Sequence, residues 1–148
     1  MESVFWTVPH FPKPASRLTL SSETNAGSTI DGYRVASNTE PCVAAVGWSE
    51  EQAAAQGIEY LTVSDTIHLM SDNERSVIDP EPTFLKLIIE SGTQHLLGCL
   101  VVGDHAPVIA NIVAIAMNSN VGIEKLRDIS LVQPSASDAL IYALRKLG

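Results

Sequence analysis

The chain has 148 residues, a mass of 15.9 kDa and 45% hydrophobic side chains, enough to fill the core of one compact domain. Nine Lys and Arg against seventeen Asp and Glu give a formal net charge of −8, and the basic residues are scattered rather than gathered into a stripe, which argues against nucleic acid as a partner. The only two cysteines, Cys42 and Cys99, are too few for a disulfide framework and have no metal-ligand spacing, so a reducing, cytoplasmic home is expected and no metal.

Residues 1–31 contain Pro9, Pro12 and Pro14 and a Ser/Thr/Gly-rich run with no sustained period, which reads as an extended arm. Within it Val4, Phe5, Trp6 and Val8 suit one short strand, and Phe5, Trp6 and Phe11 are candidates to dock on the domain itself, which is favoured, or on a partner. The arm has no basic stretch followed by an apolar one. The longest charge-free run, residues 106–123, is interrupted by Pro107, Asn111, Asn118, Ser119 and Asn120, so neither a signal peptide nor a membrane span is expected.

From residue 32 onward the signals sharpen. Val43 to Val46 reads as a buried strand, and Ser49-Glu50-Glu51-Gln52 is a capping box that predicts a short helix over 50–56 with Gly57 at its C-terminal end. Residues 58–63 read as another buried strand, and residues 65–79 are ambiguous, with Ile67, Leu69 and Val77 as candidates to face a core. The runs 84–89 and 95–102, joined by Glu90-Ser91-Gly92-Thr93-Gln94, predict a β-hairpin. Gly92 is the residue expected to take positive φ there, and Lys86 the one residue of its strand expected to reach water.

Residues 107–117 then place Val108, Ile109, Ile112, Val113, Ile115 and Ala116 around most of a helical circumference, with Pro107 in the first turn. A helix so apolar calls for cover on two sides. Ile123 and Leu126 suggest a short helix, and Ala139, Leu140, Tyr142, Ala143, Leu144 and Leu147 an amphipathic one opening after Pro134. Strands and a short helix, then a hairpin, then helices make an α+β domain with an antiparallel sheet and helices packed on it.

Three segments in order carry a resemblance: residues 40–53 (Glu40-Pro41-Cys42-Val43-Ala44-Ala45-Val46-Gly47-Trp48-Ser49-Glu50-Glu51-Gln52-Ala53), the hairpin 84–103 ending in Gly98 and Gly103, and residues 128–140. Together they resemble the C-terminal interface domain of the flavoprotein disulfide reductases, such as dihydrolipoamide dehydrogenase, glutathione reductase and mercuric reductase. The resemblance implies an antiparallel sheet with packed helices that forms most of a subunit interface. It points to a homodimer, with the helix 107–117 and its residues Val108, Ile109, Ile112, Ile115 and Ala116 as the candidate interface.

That family draws from this domain a His-Pro-Thr-x-x-Glu segment, whose histidine serves as general base on a redox thiol of the other subunit. The matching positions here are Gln133, Pro134, Ser135, Ala136, Ser137 and Asp138. Gln133 takes up no proton near neutral pH, so the acid-base role is lost, and Ser135 with Asp138 reads as a capping box for the last helix. The family's Gly-x-x-Ala-x-Glu element matches Gly103 to Val108, with valine in place of glutamate. The chain has no Gly-x-Gly-x-x-Gly loop and no Cys-x4-Cys pair, so no flavin or nicotinamide cofactor is expected.

Asp104 and His105 could line a small polar pocket or a weak metal site, although a lone loop histidine is ordinarily just solvated. His10, His68 and His95 lack metal-ligand spacing, and Cys42 and Cys99, even if they approach across strands, read as small hydrophobes. The reading is thus an arm over 1–31 and a reductase-interface-like domain over 32–148, a stand-alone, non-catalytic homodimerisation module. Two alternatives stay open: a regulatory or assembly partner of a full-length reductase, and a ligand-binding protein or enzyme with its own pocket at the dimer seam near Asp104, His105 and Asp138.

Overall fold

The computed structural model describes residues 33–37, 39–67, 82–132 and 135–147. Five strands, β1 (Tyr33–Ser37), β2 (Val43–Gly47), β3 (Tyr60–Ile67), β4 (Thr83–Glu90) and β5 (Leu96–Val102), form one sheet in the order β1-β2-β5-β4-β3 with every neighbouring pair antiparallel. Helix α1 (Glu50–Ala55) links β2 to β3. Helices α2 (Ala106–Asn118), α3 (Ile123–Asp128) and α4 (Asp138–Arg145) follow the sheet. The architecture is α+β, an antiparallel sheet with helices packed on it.

The two central strands account for the core. β4 and β5 are apolar almost throughout because both of their faces are covered, which is why they read as continuous runs rather than alternating ones. On one face Leu85, Leu87 and Ile89 of β4 and Cys99 and Val101 of β5 pack with Ile109 and Val113 of α2 and Leu140 and Leu144 of α4. Here α2 lies on β2 and β5, and α4 on β3 and β4. On the opposite face Phe84, Leu100, Val102 and Ala45 form a smaller buried cluster.

The capping box of α1 closes in both directions, with the Ser49 N–H donating to Gln52 Oε1 (2.8 Å) and the Gln52 N–H to Ser49 Oγ (3.2 Å). Gly57 ends the helix at φ +70°. Gly47 faces Gly98 across the β2–β5 ladder, and a Cβ on Gly98 would come within 2.2 Å of the Trp48 carbonyl oxygen. At that crossing the Trp48 N–H donates to the Leu97 carbonyl at 2.8 Å. At the other end of the hairpin Gly103, at φ +143°, would press a Cβ within 2.9 Å of Thr83 Oγ1. These close approaches explain the two hairpin glycines picked out in the sequence.

Several expectations need correction. The turn between β4 and β5 places Gln94, not Gly92, in the left-handed region (φ +58°), and the Gln94 side-chain amide donates to the Ser91 carbonyl at 2.9 Å. Lys86 does not reach out to water. It lies on the face opposite α2 and α4, its side chain 13% exposed, with its ammonium paired to the Glu50 carboxylate of α1. The ambiguous segment contributes Asp65, Thr66 and Ile67 to β3, which starts at Tyr60 rather than at Ile58. In α4 it is Ile141 that is buried, while Tyr142 is 48% exposed. β1, whose Tyr-Arg-Val-Ala-Ser sequence has little strand signal, was not expected. Val4 to Val8, Phe11, Leu69 and Val77 lie outside the described residues.

Candidate functional site

Helix α2 is the first candidate. Its inward face holds Ala106, Ile109, Ala110, Val113 and Ala116, all buried by the sheet of the same chain, while Val108 and Ile115 are 53% and 66% exposed. Ile109 and Ala116, expected at an interface, are therefore unavailable to a partner, because they fill the core between α2 and strands β2 and β5. Ile112 is half-buried and packs against that core. The outward face consists of Val108, Asn111, Ile115 and Asn118, with no charge. Further exposed apolar side chains are Tyr142 on α4 and Ile129 and Val132 on the segment before it. Sequence reasoning missed Ile129 and Val132, which follow a short helix and obey no period.

The start of α4 is the second candidate. Ser135 and Asp138 are described there; Gln133 and Pro134, the other two positions of the matched segment, lie outside the described residues. Only half of the expected capping box forms. The Asp138 carboxylate accepts from the Ser135 N–H at 3.2 Å, but Ser135 Oγ accepts from the Ser137 N–H at 3.3 Å rather than from the N–H of Asp138. The Asp138 N–H instead donates to the Ser135 carbonyl at 3.0 Å, a tight turn that moves the N-cap to Ser137. Asp138 Oδ1 is buried and finds no hydrogen-bond partner among the described residues.

Asp104 and His105 are both exposed at the turn into α2, and no hydrogen bond joins them to each other or to Asp138. The thiols are separate. Val43 pairs with Val102 and Val46 with Cys99, so Cys42 sits at the far end of the β2–β5 ladder from Cys99. Cys42 Sγ donates to the Ser37 carbonyl at 2.9 Å, and burial pushes the Cys99 thiol up to about 12, partly offset by its hydrogen bond with the Val46 backbone.

A flavin or nicotinamide group does not fit the described residues. Dinucleotide sites use the glycine-rich turn of a parallel strand-helix-strand unit, whereas every strand pair here is antiparallel and the N-terminus of α1 is closed by its own Ser49. No described helix is long and apolar enough to cross a membrane.

Comparison with known proteins agrees with this geometry. Residues 35–144 match the family model for the pyridine nucleotide-disulphide oxidoreductase, dimerisation domain. Among curated relatives, mitochondrial dihydrolipoyl dehydrogenase of Pisum sativum is 28% identical over 102 residues, which cover 69% of this chain and 20% of that protein. Mercuric reductase of Serratia marcescens is 33% identical over 91 residues, covering 60% of this chain and 19% of the relative. The chain thus spans about a fifth of the curated relatives it matches. Among solved structures, the HOCl-induced flavoprotein disulfide reductase RclA from Escherichia coli superposes with a TM-score of 0.68 at 25% identity, over 79% of this chain and 26% of that one. An NAD-dependent persulfide reductase from A. fulgidus shares the fold, with a TM-score of 0.67 at 20% identity over 77% of this chain and 22% of that one. With three quarters of its length matched, sheet and helices included, the chain belongs to the dimerisation-domain family of the pyridine nucleotide-disulphide oxidoreductases.

Proposed function

We propose that this chain acts by association rather than by catalysis, pairing with a second copy in the cytoplasm through the outward face of α2. The observation that carries the reading is the exposure of Val108 (53%) and Ile115 (66%) on a charge-free helix of a domain whose family is defined by dimerisation. Each such side chain gives about 1.5–3 kcal/mol on full burial, against an association cost of about 4–15 kcal/mol. Two residues do not close that gap, so the interface extends beyond α2, and the exposed Tyr142 of α4 is a candidate to contribute.

The non-catalytic part of the reading rests on residue types. Gln133 stands where the resemblance puts a histidine base, Val108 where it puts a glutamate, and no redox cysteine pair is present in the sequence. The cytoplasmic part rests on two unpaired cysteines.

Light scattering tests the association. The protein should have a mass of more than one chain, and Ile115→Asp should halve it while leaving the circular dichroism unchanged, since Ile115 is not part of the core. A protein that stays at 15.9 kDa at about 100 μM, far above the Kd of a stable interface, overturns the reading. Stoichiometric yellow flavin on the purified protein would overturn the non-catalytic part.

A further inference from the structure

We draw no further inference here: the strongest candidate, the apolar surface patch that Ile129 and Val132 expose on the segment between α3 and α4, carries none because nothing in the structure shows what covers it.

Discussion

Strands β3 and β4 are neighbours of equal length, eight residues each, joined by one uninterrupted ladder, and yet they live in different environments. β4 is buried on both faces apart from the half-buried Lys86 and Glu90, and β3 alternates between half-buried and exposed positions. Each carries one ion pair. Lys86 of β4 is held by Glu50 where both side chains are largely covered, at 13% and 35% exposure, whereas Asp65 of β3 meets a Lys146 that is 55% exposed. The difference teaches that one shared ladder does not make two strands equally stable: stability resides in the strand whose side chains leave water, while β3, at the edge of the sheet, is paired on one side only among the described residues.

The largest expected effect breaks this comparison if it fails. Leu87→Ala on β4 should cost about 2–5 kcal/mol in urea denaturation, and Leu61→Ala on β3, measured at low concentration, about 0.5 kcal/mol or less. Equal costs would show that the edge strand is as firmly packed as the central one. Next come the ion pairs. Glu50→Ala leaves the covered ammonium of Lys86 without its partner and should cost about 1–3 kcal/mol, most of it recovered when Lys86→Met is added. Asp65→Ala should cost about 1 kcal/mol or less, because Lys146 is free to turn to water.

A pH titration extends the comparison to β5, which pairs with β4. The folded Cys99 thiol holds its proton up to about 12, whereas the unfolded one releases it near 9.0, so between those values the unfolded chain binds fewer protons. Stability from this group is full below pH 9 and is lost as pH rises, by at most about 1.4 kcal/mol per unit. Thermal melts at rising alkaline pH should show that slope in the wild type and a shallower one in Cys99→Ala. The smallest effect concerns the helix that delivers Glu50 to β4. Ser49→Ala removes one arm of the capping box and should cost about 1 kcal/mol, read by the same denaturation.

Much of the fold was legible because it depends on neighbours in the chain. The box Ser49 to Gln52 and the glycine at 57 bound α1 within one residue, since both ends are made by bonds spanning three or four positions. The apolar runs of β4 and β5 announced a hairpin, and that both of its faces are covered emerged only with the structure. The candidate site was legible only as a list. A 3.6-residue period shows that α2 is apolar nearly all round, but it does not say which third the sheet covers, so Ile109 and Ala116 looked as available as Val108 and Ile115. In the same way the spacing of Ser135 and Asp138 matched a capping box, while the turn at 135–137 lets only the aspartate half form.

The amino-acid sequence by itself determined the α+β class, the β4–β5 hairpin, α1 and the family, all of which follow from local bonding, short-range hydrophobic pattern and residue types at fixed spacing. Tertiary structure alone decided that Lys86 is paired with a residue 36 positions away, that Gln94 rather than Gly92 takes the positive φ, that β3 ends the sheet among the described residues, and that α2 turns Val108 and Ile115 to solvent. These depend on which distant surfaces exclude water from which side chains. That free energy belongs to the assembled core and to no single stretch of chain.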